Sequence, residues 1–220
     1  MIMKKNVLIQ ILVLLALVFA NAGFAQTYMP EKVGTKITYV DKDAKGKIIQ
    51  AFRYEITDVQ KDEGKTTILF DIVWLKDNFK ETGEVYKGKV WSADGYFHTD
   101  VRYALGSLAS MVNIDSIKGH TIILPEHPSN GEKLDDCHIT GPGIGINNTN
   151  IAVTTGQSVT TNAGTFDCIR VDSEDSAQIL FVKVNVSSKQ WWKLGVGAIK
   201  YESYNKKGKM TLNRELYSIE

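Results

Sequence analysis

Apolar and polar residues alternate almost one for one through "IIQAFRYEITDVQ" (48–60) and again through "KTTILFDIVWL" (65–75). A period of two puts Phe52, Tyr54 and Ile56 on one side and Arg53, Glu55 and Thr57 on the other. The second run aligns Ile68, Phe70, Ile72 and Trp74 in the same way. This period belongs to half-buried strands, whereas an amphipathic helix needs a period of about 3.6. The charged "KDEG" between the two runs closes them into a β-hairpin.

The same texture fills most of the chain. "TKITYV" (35–40) turns through "DKDAKGK", and "GEVYKGKVW" and "GYFHTD" pair across "SADG". "HTIILPE" and "DDCHIT" are short candidate strands. Beyond residue 150 the sequence is almost entirely strand-like, from "IAVTT" through "TFDCIRVDSE", "SAQILFVKVNV" and "QWWKLGVGAIKYESYN" to "KMTLNRELYSI". One segment breaks the alternation. In "VRYALGSLASMVNIDSI" (101–117) Leu105, Leu108 and Val112 keep helical spacing behind a capping Asp100, so one short helix is expected there despite Gly106. About ten to twelve strands with one helix is far above the usual share of strand. The fold class is mainly β, and an antiparallel sheet that large must curl or close.

The N-terminus has a different character. Lys4 and Lys5 precede an apolar run, Val7–Ala20, interrupted only by Gln10. Gly23 and Ala25 then supply the small residues of a cleavage site, so residues 1–25 read as a secretory signal peptide cut between Ala25 and Gln26. No cysteine lies near that site, which excludes a lipoprotein anchor, and no later segment approaches the roughly 20 apolar residues of a membrane span. No shift in composition divides residues 26–220, which are expected to form a single domain. Removing Lys4 and Lys5 takes the formal charge from +1 to −1. That balance argues against nucleic acid as a partner.

Two cysteines, Cys137 and Cys168, sit in short alternating segments. An even pair in an exported chain reads as a disulfide, with two buried free thiols as the other reading. The bridge would close a loop of about 30 residues, worth roughly 3–4 kcal/mol. Neither cysteine has the setting of a nucleophile, because His138 points away from Cys137 on a strand. No zinc-ligand spacing occurs and the four histidines are scattered, so neither a metal site nor a cofactor is expected. "GPGIGIN" (141–147) lacks the Lys-Ser/Thr of a phosphate loop and reads as a turn. There is no GxSxG elbow, and the paired acids Asp135 and Asp136 look solvated. The chain is not expected to be an enzyme. The remaining lead is aromatic: Phe70, Trp74, Trp91, Trp191 and Trp192 are the candidate ligand-binding residues of a concave sheet face. Trp191 and Trp192 must point to opposite faces of any strand that holds both.

The C-terminal third carries a recognisable pattern: "TNAGTFDCIRV", then "QWWKLGVGAIKYESYNKKGKM", then "REL". With "VGTKITY" (33–39) and the Asp43–Lys47 turn, it is similar to the TapB-like family of secreted Bacteroidetes proteins, which carry a domain of unknown function. Asn162, Ile169 and the Trp-Trp pair depart from the family pattern. The resemblance implies an exported envelope protein, periplasmic or at the outer-envelope surface. It also implies a LolA-like half-barrel, in which a long antiparallel sheet wraps a helix and offers an apolar concave face. Ser116 and Ser176, in "DSI" and "DSA", resemble the O-glycosylation motif of exported Bacteroidetes proteins. The functional expectation is a non-enzymatic protein holding a hydrophobic or lipid-like ligand on that face. The alternative is a component of the outer-envelope or secretion machinery that binds a protein partner.

Overall fold

In the computed structural model, residues 25–220 are described except for 44, 102–115 and 180–181. All of the expected signal peptide (1–25) but Ala25, and all of the expected helical segment (101–117) but Val101, Ser116 and Ile117, lie outside the described residues. The alternating segments become thirteen strands: β1 (Lys36–Lys42), β2 (Ile48–Asp62), β3 (Lys65–Leu75), β4 (Glu81–Ala93), β5 (Tyr96–Thr99), β6 (Lys118–Gly119), β7 (Leu124–Pro125), β8 (Cys137–Gly141), β9 (Ile144–Thr161), β10 (Gly164–Ile179), β11 (Val182–Lys193), β12 (Gly197–Tyr204) and β13 (Met210–Ile219). All belong to one antiparallel sheet in the order β6-β8-β9-β10-β11-β12-β13-β1-β2-β3-β4-β5-β7.

The sheet is strongly curled. Six strands separate β5 from β11, which would set them about 34 Å apart in a flat sheet. Yet the rings of Phe97 on β5 and Trp192 on β11 lie 6.1 Å apart. The two edge strands, β6 and β7, are joined by residues 120–123 alone. Five residue steps reach at most about 17 Å, so this strap draws the open edges together.

Register carries the alternation across the sheet. Ile37 and Tyr39 on β1 stand beside Tyr54 and Phe52 on β2, which pair with Ile72 and Trp74 on β3. These residues, with Ile56, Ile68, Phe70, Val90 and Leu216, form the core on the inner face. Gly88 on β4 makes room for Phe70, since a Cβ there would come within 2.1 Å of the ring. The segment before β1 adds to this core from inside: Thr27, Tyr28 and Met29 are buried. The Tyr28 hydroxyl donates to the carbonyl of Pro125 at 3.0 Å, and the Gly195 amide donates to that of Thr27 at 2.8 Å. A smaller cluster of Val40, Ala51, Val73 and Leu75 sits on the outer face, with Phe79 packed against it from the β3–β4 turn. Phe79 holds a left-handed φ of 63°, and its ring stacks on Tyr217 at 4.8 Å.

The two cysteines do not form the expected staple. Both are buried free thiols. Cys137 stands opposite Asn148 and Cys168 opposite Gln157, nine positions along β9 and on either side of it. That is about 30 Å along the strand, against the 4.4–6.8 Å between Cα atoms that a disulfide spans. Two segments of alternating pattern become neighbours of one long strand without coming near each other.

Candidate functional site

Four polar residues stand in register on the inner face of neighbouring strands. Asp41 on β1 pairs with Arg214 on β13, Arg214 with Tyr201 on β12, and Tyr201 with Gln190 on β11. Each occupies the parity of a core residue, because Tyr39, Leu216 and Ile199 lie two positions away and are buried. Beyond them Ser203, Ser188 and Ser173 make a second polar row across β12, β11 and β10. The apolar inner face therefore gives way, strand by strand, to a polar sector.

Burial forces this sector to satisfy itself. The Arg214 guanidinium donates from Nε and Nη2 to the two carboxylate oxygens of Asp41, at 2.7 and 2.9 Å. Burial opposes the charge on Arg214, but the hydrogen bonds and charge of Asp41 outweigh it and raise its pKa. The guanidinium also lies 4.5 Å over the Phe52 ring. Ser173 Oγ and Asn148 Nδ2 both donate to one carboxylate oxygen of Asp175, at 2.6 and 2.8 Å, and the Ser173 and Ser188 hydroxyls are 2.9 Å apart. Burial, then the charge of Asp175, pushes the Tyr201 phenol up, so it stays protonated.

This sector forms one wall of a cavity of about 310 Å³ inside the curl. Asn148, Gln190, Tyr201 and Arg214 face the apolar side chains of Phe97, Ile122, Leu124 and Trp192, with Thr99 and Thr121 alongside. Asp41 is almost fully covered, whereas the Arg214 side chain keeps 34% of its surface open. The volume is at the small end of the range for ligand sites. The strap and the β5 edge supply the apolar wall, so the cavity exists because the sheet curls back on itself.

The five aromatic candidates divide between the faces. Trp192 lines the cavity, 6.0 Å from Tyr28 by ring centroids. Phe70 is buried in the core and Trp74 packs on Phe52 at 5.4 Å. Trp91 and Trp191 have the opposite parity and belong to the outer face by register, although Trp191 is half-buried and also packs against the core cluster. There Trp91 stacks on His98 at 5.1 Å, and Lys200 Nζ sits 5.6 Å from the Trp191 ring. Missing from the sequence-derived candidates are Asn148, Gln190, Tyr201, Arg214, Phe97 and Leu124. For the polar ones the legible signal is a polar residue at core parity, as in "KYESY" and "LNREL".

The thiols offer no nucleophile. Burial first, then nearby carboxylates, pushes Cys137 up to about 11, and burial pushes Cys168 up to about 11. Cys137 donates to Asn148 Oδ1 at 3.4 Å and Cys168 to the Phe166 carbonyl at 3.5 Å. Among the described residues, no group of three or more His, Cys, Asp or Glu is placed to hold a metal. Ser176 lies half-buried on β10, where its hydroxyl accepts from Asn147 Nδ2 at 3.2 Å; Asp115, which precedes Ser116, is outside the described residues. Within "GPGIGIN" only Pro142 and Gly143 form the β8–β9 turn, with Gly143 at a φ of 75°, and Ile144–Asn147 already belong to β9.

Residues 32–216 match the family described as DUF3108-like. The chain belongs to the DUF3108-like family. No curated protein matches it. Two solved structures share its fold. One, from Bacteroides fragilis, is described as a protein inferred to be exported, with a YmcC-like fold. It is 18% identical, with a TM-score of 0.73 over 89% of this chain and 99% of that one. The other, from Parabacteroides distasonis, is described as an inferred lipoprotein. It is 19% identical, with a TM-score of 0.72 over 90% of this chain and 100% of that one. Both likenesses span about nine-tenths of this chain, so the DUF3108-like chain and these two neighbours share the fold.

Proposed function

We propose that this DUF3108-like protein is an exported, non-enzymatic envelope protein that holds a small amphiphilic molecule inside its curled sheet. The observation that carries the reading is the cavity's two-sided lining, with Asn148, Gln190, Tyr201 and Arg214 opposite Phe97, Leu124 and Trp192. An apolar body fits against Trp192 and Leu124, and a hydroxyl or carbonyl head meets the hydrogen-bonding wall. Because Asp41 neutralises Arg214, a neutral polar head suits the site better than a strongly anionic one. Much of the inner face is filled by core side chains and by Tyr28 and Met29, which favours a compact ligand over a long acyl chain. Export is supported by the basic, apolar and small-residue regions of residues 1–25 and by the descriptions of the two structural neighbours. The TapB-like motifs fit the same setting.

Trp192 provides the test. Titration with short-chain monoacylglycerols should change tryptophan emission saturably, and Tyr201→Phe combined with Gln190→Leu should weaken binding about tenfold or more. A non-saturable response, or equal affinity in the double variant, would count against the cavity as the site.

A further inference from the structure

We propose that one rim of the curled sheet docks on an anionic lipid surface. Antiparallel order sends the turns after β1, β3, β8 and β12 to the same end of the sheet. Three of them are strongly basic: Lys45 and Lys47, then Lys76 and Lys80, then Lys206, Lys207 and Lys209. All seven lysines are exposed, and none has an ion-pair partner among the described residues. Only Asp43 and Asp77 offset them in these turns, and the Asp43 carboxylate already accepts from the amides of Lys45 and Lys47 at 2.8 and 3.0 Å. The turns at the opposite end (63–64, 94–95, 162–163 and 194–196) hold Glu63 and Asp94 and no lysine. Seven lysines without an ion pair thus cluster in three turns of one rim of a chain whose formal charge is only +1.

The same rim exposes apolar side chains. β12 accompanies β11 only as far as Ser187, so Val182–Val186 have a strand on one side alone and project beyond their neighbour. Val182 and Val184 share a face and are 64% and 47% exposed, and Ile49, beside the basic β1–β2 turn, is 55% exposed. Bare strand edges that carry valines are an aggregation liability, which proteins ordinarily blunt or cover. Apolar residues at a projecting tip, set among unpaired lysines, match the two components of a bilayer interface: shallow insertion and attraction to anionic headgroups. An acidic protein surface would meet the lysines and leave the valines unexplained.

The test is co-sedimentation of the mature exported protein with phosphatidylcholine vesicles, with and without phosphatidylglycerol. The rim predicts binding that requires phosphatidylglycerol and weakens with salt. Lys206→Gln, Lys207→Gln and Lys209→Gln together should lower partitioning about 100-fold. Val182→Ser with Val184→Ser should lower it about tenfold while leaving the salt dependence in place. Circular dichroism and Tm confirm that the variants are folded, as expected for exposed turn and edge positions. Equal binding to both vesicle types, or phosphatidylglycerol binding that survives in the folded lysine variant, overturns the proposal. Retention on a polyaspartate resin with no vesicle binding overturns it in favour of an acidic protein partner. Either result leaves the inner cavity untouched.

Discussion

Arg214 joins the core to the cavity. It is bonded to the buried Asp41 and stacked over Phe52, yet it also lines the open space. Arg214→Met would strand a carboxylate in the core, so we expect a loss of about 3–5 kcal/mol in chemical denaturation. Asp41→Asn in the same background should recover part of that loss, because it removes the unpaired charge. The thiols make a second residue-scale test. With burial holding Cys137 and Cys168 near 11, both should resist a thiol reagent at neutral pH in the native protein. Both should react on unfolding, with no change when a reductant is added first. A single disulfide-bonded species would contradict the register across β9.

At the scale of elements, the strap closes the sheet, and its surroundings titrate. His98 lies on β5 stacked on Trp91, and His120 is in the strap, with its ring 6.3 Å from that of His138. Burial, then the charge of His120, holds the His98 pKa below its ordinary value, and Lys65 acts in the same direction while Asp94 opposes it. The unfolded chain therefore binds a proton at His98 more readily than the folded one. The stabilisation is complete above about pH 6.5 and is lost as pH falls through the lowered folded value. Tm should drop between pH 7 and pH 5, and His98→Gln should flatten that slope. Strand content was legible at this scale because the period of two is written into each segment. The pairing of Phe52, Tyr54, Ile68, Phe70 and Ile72 on one face follows from it directly. The staple was not legible, since alternation around Cys137 and Cys168 says nothing of which stretch of β9 each will meet. The aromatic set failed for a related reason. Parity could separate Trp191 from Trp192, but only the register reveals that Trp91 shares the outer face with Trp191. Nor could composition disclose the polar wall, whose members come from β9, β11, β12 and β13 and are brought together by the register of the sheet.

For the whole molecule, curl is the property on which the proposed function rests. Bringing β5 and the strap over β11, β12 and β13 sets Phe97 and Leu124 against Tyr201 and Arg214 across a small, partly open cavity. The fold is shared with the two structural neighbours at 18% and 19% identity, so on the proposed reading the side chains of the polar wall, rather than the fold, set what this chain holds. Native mass spectrometry of the protein released gently from its own envelope tests this most directly. The account predicts a complex heavier than the Gln26–Glu220 polypeptide by one small molecule, which is lost in the folded Tyr201→Phe, Gln190→Leu variant. A wild-type spectrum showing only the bare polypeptide would contradict it.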